Sequence, residues 1–483
     1  MDSVADARLH VLFFPLMAQG HLIPIIDTAR LFAMRGVKVT ILTTPLNRPH
    51  ISPIVQRDRN FGVEIGIQQI RFPSVEVGLP ENCENASSIS DPEMLLKFLK
   101  AINMLQQPFE EILQEQRPDC VVADMFFPWA TDVAGKFGIP RIVFHGSSFF
   151  SLCVQDSLSR YKPHANIASD LEAFVVPCIP DQIEMTSSQL PDDLQDPNNI
   201  GEFHKSIWNS DERCYGTLMN SFYELEPAYA EHYRKAMGRK AWHIGPVSFS
   251  NMDFTEKAQK RGNRAAIDEH ECLRWLDSKE PNSVLFVCFG SMPRFNSTQL
   301  REIAMGLEDS GHPFIWAVLR KAEEEPWLPD GFEERMEGKG LLVRGWAPQV
   351  LILEHPSVGG FVTHCGWNST FESISAGVPM ITWPLFAEQF INEKLVTMVL
   401  KIGIAVGIKT WSLFSEGKEL VKRDAITKAV TSLMDSGEEA EQMRSKVGEL
   451  KESARRAVEK GGSSYADLTA LIEDLRLHKR SAV

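Results

Sequence analysis

Trp346 to Gln389 reads WAPQVLILEHPSVGGFVTHCGWNSTFESISAGVPMITWPLFAEQ. Val358 to Thr363 is a short apolar, β-prone run containing Gly359 and Gly360, and from Asn368 the order NSTFESISA reads as a capped helix. The pattern predicts a strand, a tight turn and a helix N-terminus. Such a junction turns unpaired backbone N–H groups and the positive end of the helix dipole toward whatever lies above it. That suits a phosphate or diphosphate without any lysine.

The neighbouring polar residues fit around an anion. His364, on the turn, can donate to a phosphate oxygen, and Glu372 falls one helical turn after Asn368, on the same face, where a carboxylate suits ribose hydroxyls. Trp346 offers a flat face for a nucleobase. Glu388 and Gln389 place a carboxylate beside an amide, a pairing suited to sugar hydroxyls.

From its opening Trp through His-Cys-Gly-Trp-Asn-Ser to its closing Gln, this window of 44 residues resembles the donor-binding box of plant family 1 UDP-glycosyltransferases. The one departure is Glu388, where Asp is more common in that family. The resemblance implies a donor site made of Ser291, Trp346, Ala347, Gln349, His364, Trp367, Asn368, Ser369, Glu372, Glu388 and Gln389. Gln389 matches the residue usual in glucose users.

Outside the window the chain alternates strands and helices. Leu9 to Phe14 reads as a buried parallel strand, and Leu22, Ile25, Ile26, Ala29 and Phe32 mark one face of the helix that follows. Gly36 closes that helix before a strand from Val37 to Thr43. Gly20 and His21 therefore lie beyond the carboxyl end of the first strand, where doubly wound sheets carry ligands. At a helix N-terminus the dipole disfavours imidazolium, so a neutral His21 is expected.

A helix is expected over Leu95–Leu113, then a strand from Asp119 to Ala123 leading to Asp124, and a helix over Ala130–Phe137. On the residues alone a turn histidine serves packing as readily as catalysis, and Asp124 is equally suited to cap the following helix. Arg141–Phe144 is another strand. Lys162 to Glu202, rich in Pro, Asp, Asn and Ser, reads as long surface loops.

Ser248–Ala266 is polar and faceless, as a linker should be. A second alternation follows: strands over Ser283–Phe289, Pro313–Leu319, Gly340–Arg344 and Ile402–Ile408, and helices over Ser297–Ser310, Arg423–Met434, Glu438–Glu459 and Tyr465–Leu477. The fold class is thus α/β. By the resemblance it is a GT-B fold, two doubly wound Rossmann-like domains facing across a cleft. Residues 1–247 are expected to form the acceptor-binding domain, 248–266 the linker, 267–460 the UDP-sugar-binding domain and 461–483 a closing C-terminal helix.

The resemblance also implies the reaction: inverting transfer of glucose from UDP-glucose to a hydroxyl of a plant specialised metabolite, with His21 as base and Asp124 as its partner. The expected partners are a UDP-sugar donor and a small hydrophobic hydroxylated acceptor, a flavonoid, other phenolic or triterpenoid, with no cofactor and no metal. Phe126, His145, Phe149 and the loop from Met185 to Leu194 are candidate acceptor walls, and each is equally suited to ordinary packing. Alternatives are the same fold using galactose, glucuronic acid, rhamnose or xylose, or a nucleotide-sugar-binding protein without catalysis.

Composition narrows the classes further. At 483 residues the chain is too long for a single core. A net charge of −14 argues against a nucleic-acid partner and against an anionic membrane surface. Met1 to Arg8 lacks the apolar core of a signal peptide, and no run approaches a membrane span. The eight cysteines contain no CxxC pair, which fits a reducing compartment. A cytoplasmic monomer is expected. No Asp-x-Asp, dinucleotide glycine pattern, P-loop or Gly-x-Ser-x-Gly elbow occurs, which disfavours metal-dependent transferases, dehydrogenases, phosphate-loop enzymes and hydrolases.

Overall fold

The first strand, His10–Phe14 (β1), is buried along its whole length, as an apolar run covered on both faces must be. In the computed structural model, which describes residues 8–191, 199–250, 266–292, 295–319, 327–413 and 419–481, it is an interior strand of a seven-stranded parallel sheet. The other strands are Lys38–Thr43 (β2), Ile65–Gln69 (β3), Cys120–Asp124 (β4), Arg141–His145 (β5), Gly216–Met219 and Ala241–His243. Between β5 and the last two lies an antiparallel pair, Ala173–Val175 (β6) with Glu184–Thr186 (β7), so the last two are β8 and β9. The order is β3-β2-β1-β4-β5-β8-β9. The chain winds outward from β1 to β3, returns to lay β4 on the other side of β1, and winds outward again. The switch point is therefore between β1 and β4, where Leu12 pairs with Val121.

The second half repeats the plan with six parallel strands: Val284–Cys288 (β10), Phe314–Val318 (β11), Gly340–Arg344 (β12), Val358–Thr363 (β13), Met380–Thr382 (β14) and Gly403–Ala405 (β15). Their order, β12-β11-β10-β13-β14-β15, puts the switch point between β10 and β13. One apolar core runs across both halves, with the rings of Phe222 and Phe371 5.9 Å apart. Among the described residues no helix is long and apolar enough to cross a membrane.

Three expectations need correction. The helix expected over Leu95–Leu113 is two, Pro92–Met104 and Gln106–Gln116, because Pro108 has no N–H to return to Met104. The stretch expected to be loops up to Glu202 holds the β6–β7 pair and the start of the helix Asn199–Asp211, and it buries Phe174, Val176, Ile183, Met185 and Leu190. The strand expected over Ile402–Ile408 is only Gly403–Ala405. The closing helix is Ser463–Ser481. It seals the first sheet, inserting Leu468, Leu471, Ile472 and Leu475 among Val11, Trp242 and Val247. Of the expected linker, residues 251–265 lie outside the described residues, as do 192–194 of the expected acceptor loop.

Candidate active site

The first wall of the site is built at the β1–β4 switch. His21 is the third residue of the helix Gln19–Met34, and its Nδ1 lies 2.7 Å from Oδ2 of Asp124, the last residue of β4. Asp124 caps no helix. Its Oδ1 accepts the N–H of Phe126 at 3.1 Å, and its main-chain carbonyl accepts Nη2 of buried Arg141 at 2.8 Å. An ionised carboxylate only accepts, so Nδ1 of His21 carries the hydrogen and Nε2 keeps its lone pair. Desolvation pulls the His21 pKa down, but the charge and hydrogen bond of Asp124, with Glu388 behind them, more than offset it. The pKa is raised above 6.5. The shift is opposite in direction to the one expected from the helix dipole: a carboxylate in direct contact outweighs a partial charge.

The opposite wall stands at the β10–β13 switch. Gly290, at φ +80°, follows β10 and precedes Ser291; a Cβ here would come within 2.6 Å of Cε1 of His364. His364 is desolvated, which lowers its pKa to about 4, so it presents a neutral ring with one N–H. The next residue, Cys365, is buried and left-handed at φ 63°. The helix begins at Trp367 with Gly366 as its N-cap and no side-chain cap. Asn368 is thus not the cap expected from sequence. Its amide crosses the cleft and donates to the carbonyl of Gly20, next to His21.

Within the donor wall, Nε2 of Gln349 donates to Ser369 Oγ at 3.1 Å and to Glu372 at 2.8 Å, which fixes both acceptors. Trp346 is half-buried, its carbonyl taken by the N–H of Ala266 at 2.8 Å. Ala347 packs beside it and is buried. Burial raises the pKa of Glu388, whose carboxylate also takes the N–H of Trp367 and the amide of Asn392 at 3.2 Å. Oε1 of Gln389 accepts two main-chain N–H groups, from Leu385 at 2.9 Å and Phe386 at 3.1 Å. Its other end is therefore an NH2 group, which can only donate.

One cleft of about 1280 Å³ joins the two walls. Single-ligand pockets run to roughly 1,000 Å³, so two ligands fit. His21, Phe126, His145, Ser291, Trp346, Ala347, Gln349, His364, Trp367, Asn368, Ser369, Glu372, Glu388 and Gln389 all line it. Asp124 stands behind His21 and is wholly buried. Phe149 is a correction: its ring packs in the core against His243 at 4.7 Å and Tyr233 at 5.1 Å, and it does not reach the cleft. Ser148 caps the helix Phe149–Tyr161 and turns Phe149 inward. Met185 is also in the core, whereas Gln189, Leu190 and Pro191 do line the cleft.

Trp367 lines the cleft with little of its surface. Its ring stacks on Phe371 at 5.2 Å, and Nε1 donates to Asn220 O at 2.9 Å, tying the halves together. His145 Nε2 is 2.7 Å from Asp211 Oδ2 without hydrogen-bond alignment, both side chains being buried. Sequence reading missed Leu95 and Leu99, Phe203, which stacks on Phe126 at 6.1 Å, and Trp411. The four-residue spacing of Leu95 and Leu99 was visible, but it reads equally as core packing.

Residues 97–419 match the family described as "UDP-glucoronosyl and UDP-glucosyl transferase". The chain belongs to that family. It is a plant family 1 UDP-glycosyltransferase, and the paired Rossmann-like halves are its GT-B fold. Over 470 residues it is 54% identical to a scopoletin glucosyltransferase of Nicotiana tabacum, covering 97% of this chain and 98% of the relative. It is 55% identical to UDP-glucose flavonoid 3-O-glucosyltransferase 7 of Fragaria ananassa, with 98% of both chains covered. The crystal structure of Glycyrrhiza uralensis UGT73P12 complexed with glycyrrhetinic acid 3-O-monoglucuronide superposes with a TM-score of 0.92 at 45% identity, covering 98% of this UDP-glycosyltransferase and 97% of that one.

Proposed function

We propose that this glycosyltransferase moves glucose from UDP-glucose, with inversion, to a hydroxyl of an apolar phenolic or triterpenoid acceptor. The observation that carries the reading is the His21–Asp124 pair, directed at a cleft whose far wall is a helix N-terminus. Nε2 of His21 takes the acceptor proton, and the acceptor oxygen bonds the anomeric carbon from the face opposite the diphosphate. The bond from that carbon to the phosphate oxygen breaks, and its electron pair leaves with UDP. Ser291, His364, Ser369 and the first turn of the Trp367–Ala376 helix serve the departing charge. Trp346 stacks on uracil, Glu372 holds the ribose, and Glu388 with the donating end of Gln389 holds the sugar.

Leu95, Leu99, Leu190 and Phe203 make the acceptor end apolar. This agrees with relatives named for scopoletin and flavonoids and with a structural neighbour holding a triterpenoid glucuronide. Both walls come from one chain, which supports action as a monomer. All eight cysteines are free thiols, which supports a cytoplasmic setting.

The test is turnover with UDP-glucose and four other UDP-sugars against a coumarin, a flavonol, an isoflavone and an oleanane aglycone, with linkage stereochemistry read by NMR. A β-linked glucoside is expected. UDP binding with no transfer from any donor would instead identify a binding protein.

A further inference from the structure

The segment Lys409–Leu413 follows β15 in the donor half yet is fastened to the acceptor half. The N–H of Trp411 donates to the carbonyl of Ser188 at 2.7 Å, and Oγ of Ser188 donates back to the carbonyl of Lys409 at 2.8 Å. Ser188 belongs to the short turn Ser187–Gln189, held between Met185 and Leu190, both in the core.

From it Trp411 reaches the turn that presents Glu388 and Gln389. Its indole Nε1 donates to the carbonyl of Ala387 at 3.2 Å, and the adjoining N–H of Ser412 donates to Leu385 O at 2.7 Å. Ala387 has φ 52°, a left-handed conformation that a residue with a Cβ adopts only when its surroundings impose it. Gln389 grips the turn from inside through the N–H groups of Leu385 and Phe386. Trp411 and Ser412 grip it from outside. Trp411, Gln189, Leu190, Ala387 and Glu388 all line the same cleft.

We propose that Trp411 is a positioning residue that ties the acceptor wall to the sugar-recognising turn and thereby sets donor-sugar selectivity. The inference rests on the reading of Glu388 and Gln389 as the sugar subsite. Without the indole N–H, Ala387 is free to relax, and Glu388 and Gln389 lose their register on the sugar hydroxyls. The residues assigned to uracil and diphosphate lie on other segments and keep their places.

The experiment compares kcat/KM for UDP-glucose and UDP-galactose, which differ in the orientation of one hydroxyl, in the wild type and in Trp411→Phe. The phenyl ring keeps an aromatic wall, though a smaller one, and removes the donor. The glucose-to-galactose ratio is expected to fall about two- to tenfold, the worth of one neutral hydrogen bond, while the Kd for UDP stays unchanged. Trp411→Ala removes the wall as well and should also raise the acceptor KM. An unaltered sugar ratio in Trp411→Phe overturns the proposal. Should that variant not fold, Ser188→Ala, which removes the side-chain bond to Lys409 and leaves the main-chain bond from Trp411, carries the same test with a smaller fall expected, and an unaltered ratio there overturns it equally. A wild type that transfers no sugar at all would refute the underlying reading before any variant is compared.

Discussion

Nδ1 of His21 and Oδ2 of Asp124 lie 2.7 Å apart, the ring partly open to the cleft and the carboxylate wholly enclosed. The pair joins the helix after β1 to the end of β4, so its geometry is set by strand order rather than by a loop. Asp124→Asn leaves the shape and removes the charge. Transfer should slow on the order of 10²–10⁴-fold, with UDP affinity by calorimetry unchanged; a variant of near-normal rate would remove Asp124 from the mechanism.

The same contact predicts a pH profile. As a base His21 must be neutral, and its pKa in the folded protein is raised above 6.5. The acid limb of kcat/KM should therefore fall above pH 6.5. In Asp124→Asn the larger raising influence is gone while desolvation and the smaller influence of Glu388 remain, so the limb should move to lower pH. For stability the sign is the reverse of activity. The charged pair contributes fully below pH 6.5, and its contribution is lost as pH rises through the folded pKa. His364, held at about 4 by burial, should add no inflection near neutrality.

Trp346→Ala tests the nucleobase platform. Stacking of a base on an aromatic ring is worth about 1–3 kcal/mol, so the Kd for UDP should rise correspondingly in calorimetry. An unchanged Kd would place uracil elsewhere.

Gln389 is assigned two duties that one substitution separates from simple sugar contact. Gln389→Leu strands the N–H groups of Leu385 and Phe386 in a buried turn and should cost about 1–3 kcal/mol in denaturant unfolding, besides weakening UDP-glucose. If donor KM rises with stability intact, the amide serves the sugar alone.

Gly290→Ala places a Cβ at φ +80° and 2.6 Å from the His364 ring. Destabilisation beyond about 1 kcal/mol is expected, together with weaker UDP binding as the ring is displaced. A variant as stable as the wild type, with the same Kd, would show that the turn has slack.

The alternation of strands and helices and the strand-end placement of His21 and Asp124 were legible because fully buried parallel strands read as continuous apolar runs. The donor window was legible because its polar residues follow a fixed order along one strand, turn and helix. Phe149 misled: nothing local distinguishes a ring after a cleft turn from a ring on the inner face of the next helix, and only the Ser148 cap decides it. Trp411 was invisible because its partners, Ser188 and Ala387, are supplied by different halves. The direction of the His21 pKa shift was not legible, since a dipole can be read from helix position, whereas a carboxylate 103 residues away cannot.

The helix Ser463–Ser481 seals the first sheet, which gives order of synthesis a structural meaning. As a nascent chain leaves the ribosome, β1 through β9 emerge with the patch around Val11, Trp242 and Val247 uncovered, and the four side chains that cover it are translated much later. A fragment ending before Ser463 is expected to expose that patch, bind an apolar dye and precipitate. Supplying 463–481 as a separate peptide should restore it, making the half that carries His21 depend on residues made long after its own strands.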